Sequence, residues 1–193
     1  MELIVETLKG QHVTLEPIRE DHREALRRVA ADEDIWTYMP RNAAGDYFDE
    51  WFNIARELTD NKTEIGFVVR CNGEGDVVGS TRYLNLAPVH DCLEIGHTFY
   101  ARDVWGTKVN PAAKLLLMSH AFEVMSANRI ELRCNALNAR SRAAIEKLGA
   151  QFEGILRENM LLPSGRRRDT AVYAVLKSDW PRVRAGLRKR LNA

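Results

Sequence analysis

The sequence predicts an α/β (α+β) fold in which a mixed sheet is flanked by helices. Three observations carry this expectation. Short runs with strand-like alternation recur along the chain, as in Val13-Thr14-Leu15-Glu16. Asn72-Gly73-Glu74-Gly75 lies between two such runs and marks a hairpin, so those strands are antiparallel. The stretch from Asp91 to Cys134 reads strand–helix–strand, which calls for a parallel pair joined by a crossover. The chain has 193 residues and no Pro/Gly/Ser-rich linker. Against about 150 residues per domain, a single domain over 1–193 is expected.

Taken in order, His12 to Ile18 alternates as a strand, with Pro17 near its end. Asp21 is placed to cap a helix running through Leu26 and Val29 to about Ala31. A turn-rich stretch, Asp32 to Gly45, carries Trp36, Tyr38 and Pro40. Asp46 is placed to cap a second helix, with Phe48, Trp51, Phe52, Ala55 and Leu58 at helical spacing. Strands follow at Ile65 to Cys71, Asp76 to Leu84 and Asp91 to Tyr100. After a loop, Ala101 to Val109, a helix runs from Asn110 to about Ala127. Arg129 to Cys134 is a strand, and Ser141 to Leu148 a helix stopped by Gly149. Gln151 to Met160 and Thr170 to Leu176 are strands joined across Pro163-Ser164-Gly165. Ser178 to Leu191 is a basic helix with Pro181 in its first turn.

Composition excludes several classes. Lys plus Arg is 28 and Asp plus Glu is 27, a net charge of +1. A protein that coats nucleic acid needs a large cationic excess, so that role is not expected. Cys71, Cys92 and Cys134 are odd in number and form no C-x-x-C, which argues against a disulfide framework or zinc site and for a reducing cytoplasm. The histidines show no metal-ligand spacing, so no metal is expected. The N-terminal MELIVETLKG has no signal-like apolar run, and no stretch is long enough to span a membrane.

The junction from Phe99 to Pro111 holds the clearest chemical signal. A strand leads through a loop containing Gly106 into a helix N-terminus, where free N–H groups and the helix dipole favour an anion. Arg102 and Lys108 add positive charge. The same layout also occurs in βα loops that bind nothing. A second run, Asn138-Ala-Arg140-Ser141 through Glu146-Lys147-Leu148-Gly149, reads by spacing alone as helix capping, with Ser141 as the N-cap.

Together the runs resemble the GNAT superfamily of acetyl-CoA-dependent N-acetyltransferases. The matching stretches are Leu93-Glu94-Ile95-Gly96, Trp105-Gly106-Thr107, Ala112-Ala113-Lys114-Leu115, Asn138-x-x-Ser141 and Glu146-Lys-Leu-Gly149. Gly154-x-x-Arg157 and Arg168-Asp-Thr-x-x-Tyr173 add to them. The branch resembled most is that of the bacterial ribosomal-protein alanine N-acetyltransferases. The resemblance implies a mixed, mostly antiparallel twisted sheet of about six to seven strands flanked by helices, splayed at the coenzyme site. It implies acetyl-CoA as acyl donor, with the loop Val104-Trp105-Gly106-Thr107-Lys108-Val109-Asn110 around the pyrophosphate. It also implies Asn138 near the pantetheine and Ser141 as the group that serves the departing thiolate. The family's pyrophosphate loop usually runs Gln/Arg-x-x-Gly-x-Gly/Ala. Here Trp105, Lys108 and Asn110 stand at the three marked positions. The tyrosine acid of many relatives falls on Ile145, so no tyrosine acts there.

The implied reaction is direct transfer of acetyl to a primary amine, either a protein N-terminus or a small molecule. A backbone N–H near Thr98 or Phe99 is expected to serve the carbonyl oxygen. Glu94 and Glu158 are the candidate bases, and each also reads as an ordinary strand glutamate. Strand alternation places Gly96 and Thr98 on the face of Glu94. Trp36 and Tyr38 are candidates for an aromatic acceptor wall, or for plain core. The run Arg166-Arg167-Arg168 is expected at a solvated turn, or facing an acidic peptide or RNA. A non-catalytic acyl-CoA sensor is the alternative function. A homodimer is expected only by analogy of fold.

Overall fold

The computed structural model describes residues 1–162 and 165–192. The expected turn at Pro163-Ser164 lies outside them. Five helices and eight strands are seen among the described residues. The strands are β1 (Leu8–Lys9), β2 (Val13–Pro17), β3 (Ile65–Cys71), β4 (Val77–Ala87), β5 (Cys92–Tyr100), β6 (Arg129–Asn135), β7 (Gln151–Leu161) and β8 (Arg167–Leu176). The helices are α1 (Arg23–Ala30), α2 (Phe48–Asp60), α3 (Val109–Ser119), α4 (Ala139–Leu148) and α5 (Trp180–Asn192). They form one sheet in the order β1-β2-β3-β4-β5-β6-β8-β7. Every neighbouring pair is antiparallel except β5 and β6. The eighth strand, beyond the six or seven expected, is β1. Its two residues are too few to show a period of two.

Two apolar layers cover the sheet. On one face α3 and α5 bury Leu117, Met118 and Leu187 against Phe67, Tyr83 and Ile95. On the other, α1 and α2 bury Leu26, Phe48, Trp51 and Phe52 with Trp36 and Phe99. Neither aspartate expected to cap α1 or α2 does so. Asp21 and Asp46 fall inside short 3₁₀ turns, Glu20–His22 and Gly45–Tyr47, that lead into the helices. Past Ser119, α3 widens into a π-turn, His120–Val124. There the Tyr83 hydroxyl donates to the Leu117 carbonyl at 2.6 Å.

Two irregularities shape the sheet. The parallel pairing of β5 and β6 spans only Cys92↔Arg129, Leu93↔Ile130 and Glu94↔Glu131. Beyond Glu94 the strands part into a wedge. Within β5, Ser80 faces Phe99 and Arg82 faces Gly96, so His97 and Thr98 together oppose Thr81. This is a β-bulge, and His97 sits in it at φ +46. The extra residue inverts the alternation. Phe99 joins the α1/α2 layer, and Thr98 turns to α3, not to the face of Glu94 and Gly96 as regular alternation requires.

Candidate active site

The wedge encloses a cavity of about 360 Å³. Its walls are the C-terminal halves of the two parallel strands, where open α/β sheets place their ligands. From Ile95 onward β5 has no strand partner on its β6 side, so its backbone donors and acceptors on that edge face the opening.

Glu94 stands at the apex, beside the last paired residue, and is 6% exposed. Its Oε2 accepts a 2.7 Å hydrogen bond from Asn85 Nδ2 and lies 3.4 Å from Arg133 Nε. Burial pushes its carboxyl above the usual range. Glu131 adds to this, while Asn85, Arg133 and Arg168 oppose it. A Cβ on Gly96 would stand 3.0 Å from Glu94 Oε1 and 2.9 Å from Leu84 Cδ2, so glycine leaves the carboxylate its room.

On the far wall Ser141 lies in the first turn of α4. Asn138, not Ser141, caps this helix: Asn138 Oδ1 accepts from the Ser141 N–H at 2.9 Å. That leaves the Ser141 hydroxyl for other work. It lies on the cavity wall beside the Cys134 sulfur. Burial raises the Cys134 thiol, and Ser141 is the main opposing influence.

The loop between β5 and α3 divides. Val104, Trp105, Gly106 and Asn110 line the cavity, and Gly106 takes φ +77 with open space around it. Thr107, Lys108 and Val109 do not line it. The Thr107 hydroxyl donates to the Val104 carbonyl at 2.7 Å and accepts from the Val109 N–H at 3.3 Å. Lys108 Nζ donates to the Leu191 carbonyl at 3.0 Å, near the end of α5, and so is tied away from the opening. Arg102 is likewise committed, gripping Asp32 at 2.9 Å through two nitrogens and reaching Asp34. The cation at this end of the cavity is Arg140, stacked 3.6 Å over the Trp105 ring.

Two further expectations shift. Trp36 is 6% exposed and does not line the cavity. Its indole N–H donates to the Ala30 carbonyl at 2.9 Å, and its ring backs Phe99 at 4.9 Å. Tyr38 does line the cavity. Glu158 lies in a wide bulge of β7, where Arg157, Glu158 and Asn159 together face Asp169. The Glu158 N–H bonds Asp169 Oδ1 at 2.8 Å and its side chain is 73% exposed, while Asn159 and Met160 turn inward.

Sequence reasoning missed two buried cations that line the cavity. Lys114 on α3 is 5% exposed. Its Nζ donates to Thr98 Oγ1 at 2.8 Å, and burial lowers its pKa to about 7. The signal was its place four residues before Met118, on the buried face of the helix. Arg168 was grouped with a solvated turn, yet it is 7% exposed and lines the cavity. A period of two along β8 puts it on the face of buried Thr170. Beside the bulge, burial and the charges of Arg82, Arg41 and Arg168 lower His97 to about 4.

A splayed parallel pair, a bulged central strand and a glycine loop leading into a helix leave an open cleft beside a helix end that favours anions. Residues 12–151 match the family model described as Acetyltransferase (GNAT) domain, and the chain belongs to that family. It is a GNAT N-acetyltransferase, and acetyl-CoA is the donor that membership implies. It is 26% identical over 179 residues to YdaF of Bacillus subtilis (strain 168), a protein provisionally named a ribosomal N-acetyltransferase. That match covers 89% of this chain and 94% of the relative. A GCN5-related N-acetyltransferase from Brucella melitensis superposes with a TM-score of 0.90 at 27% identity, over 98% of this chain and 86% of that one. RimJ of Mycobacterium smegmatis, solved with CoA-disulfide, shares the fold at a TM-score of 0.79 and 22% identity, covering 92% and 88%. Among the described residues no helix is long and apolar enough to cross a membrane, and no group of three metal-ligating side chains forms.

Proposed function

We propose that this chain transfers acetyl from acetyl-CoA directly to a primary amine, with Glu94 as base and Ser141 serving the leaving sulfur. The observation that carries this reading is the wedge itself. It has a free strand edge on one wall, a freed hydroxyl on the other, and a carboxylate at its apex. Gly106, the open N-terminus of α3 and Arg140 suit the phosphates of the donor. RimJ of Mycobacterium smegmatis, which shares the fold, was solved with CoA-disulfide, in keeping with a CoA donor here.

An α-amine has a pKa near 8, so about a tenth is neutral at pH 7. That neutral amine is the nucleophile, and Glu94 accepts the proton its nitrogen must lose once the C–N bond has formed. The amine nitrogen attacks the thioester carbon, and the carbonyl electron pair moves to oxygen, which faces the backbone N–H groups of the bulge around Thr98 and Phe99. Collapse re-forms the carbonyl and breaks the C–S bond. The sulfur leaves as thiolate and accepts a hydrogen bond from Ser141. Holding amine and thioester together in the wedge supplies much of the acceleration.

The test is release of free CoA thiol from acetyl-CoA with a panel of amines and N-terminal peptides. Turnover that falls more than coenzyme affinity in Ser141→Ala supports the assignment. An unchanged rate removes Ser141 from the mechanism. Coenzyme binding with no thiol release for any amine would leave a binding protein in place of an enzyme.

A further inference from the structure

We infer that the acceptor carries a carboxylate as well as the amine, and that Arg168 is the residue that reads it. The inference rests on the acetyl-transfer reading of the cavity and names the substrate class of that site.

Four cations line the cavity, Lys114, Arg133, Arg140 and Arg168, against one carboxylate, Glu94. Three of the four are engaged. Lys114 donates to Thr98, Arg133 binds Glu131 at 2.6 Å, and Arg140 lies on Trp105. Arg168 is different. It is 7% exposed, and its Nε has no hydrogen-bond partner among the described residues. Its Nη1 reaches only the Tyr38 carbonyl, at 3.5 Å, the outer limit of a hydrogen bond. No carboxylate of the described residues lies within ion-pair distance of it. A buried guanidinium whose nearest carboxylate, Glu94, acts on it only from beyond ion-pair distance is costly to fold around. Such a group makes sense where its partner arrives with the substrate.

The position fits that use. Arg168 lies beside Tyr38, whose carbonyl its Nη1 reaches, and pairs with Met160 across the β7–β8 ladder, with Asn159 also bordering the cavity. A guanidinium fork matches a carboxylate through two parallel hydrogen bonds, a geometry that a neutral amide does not supply. Arg41 adds positive charge close enough to depress His97, whereas Arg82, which also acts on it, is paired with Glu64 at 2.9 Å. A polycationic amine would meet repulsion there with only Glu94 to offset it. A carboxylate set beside the amine resolves the imbalance. It is either the α-carboxylate of a free amino acid or an acidic side chain near a peptide N-terminus.

The experiment is thiol release by the purified protein with matched acceptors. These are a free amino acid and its amide, peptides with acidic or neutral residues after the N-terminal alanine, and a diamine. At least one carboxylate-bearing acceptor should exceed its matched neutral partner tenfold or more in kcat/KM. The amino acid arm and the peptide arm tell the two sources apart. Arg168→Gln should reduce that ratio at least tenfold, and Arg168→Lys should restore part of it. Comparing ratios cancels the intrinsic reactivity of each amine. A diamine or a neutral amide preferred by the wild-type enzyme overturns the inference while leaving acetyl transfer intact. That comparison needs no variant to fold. No thiol release with any amine overturns the acetyl-transfer reading and this inference together.

Discussion

Glu94 and Lys114 are both buried at the cavity, and burial pushes each toward its neutral form. If Glu94 is the base proposed above, this moves a carboxylate closer to the pKa of the amine and strengthens it for that role. Only the ionised form accepts a proton, so kcat/KM should rise with pH through a limb above 4.5, the ordinary value. Glu94→Gln should remove that limb and lower kcat by about 10²–10⁴-fold. The later limb, from the amine itself, should remain. A pH–rate profile of the two proteins checks this. For Lys114 the folded pKa is about 7 against 10.5 for a free lysine. Between those values the unfolded chain binds the extra proton, so stability rises with pH across this window. Below pH 7 both states are charged and the full cost of burial is present. Lys114→Met should therefore stabilise the fold by about 2–4 kcal/mol near neutral pH. The gain should shrink toward pH 10.5, as read by urea unfolding. Thr81 and Thr98 bond one another at 2.7 Å and stay paired in the variant.

At the scale of elements, the bulge in β5 decides which side chains reach the cavity. His97 holds φ +46 there without being glycine. A β-branched side chain tolerates that conformation poorly, so His97→Val should destabilise by about 1–2 kcal/mol, and His97→Gly should not. Equilibrium unfolding of both variants separates the backbone effect from loss of the imidazole. This bulge also marks where sequence reading stops. The strand Ile65 to Cys71, the hairpin after it, the crossover through α3 and the Gly149 stop at φ +93 were all legible, because local patterns dictate them. A one-residue insertion in the ladder has no local signature. It shifts Thr98 to α3 and Phe99 to the opposite layer, while Glu94 and Gly96, ahead of it, keep their expected face. The irregularity of β7, with two extra residues, likewise has no local signature and carries the Glu158 side chain out to solvent. The ties of Arg102 to Asp32 and of Lys108 to Leu191 join residues far apart in sequence, so spacing within one loop gave no hint of them. Asn138 and Ser141 were visible, but which of the two caps α4 depended on backbone geometry.

At the scale of the whole molecule, the sheet is two blocks held by a short seam. One block runs from β1 to β5 and the other from β6 to β8 and β7, and only three residue pairs join them. The crossover helix α3 and its packing on α5 supply the rest of the connection. On the proposed mechanism, a donor in the wedge would contact both blocks at once, pairing with the free edge of β5 while its sulfur meets Ser141. Binding to the folded state alone adds stability by mass action, about 2.7 kcal/mol at a hundred times the dissociation constant. Acetyl-CoA should therefore raise the melting temperature in a concentration-dependent way. The gain should not be spread evenly. Amides of β5 beyond Glu94 and of β6 from Leu132 to Asn135 should slow their hydrogen exchange most, because they border the opening. Amides of β2 and β3, remote from the seam, should change only with global stability. Arg140→Ala should weaken this protection by raising the dissociation constant for acetyl-CoA, whereas Lys108→Ala should change it little, since Lys108 is held by Leu191. Exchange that slows uniformly across the sheet would place the donor outside the wedge.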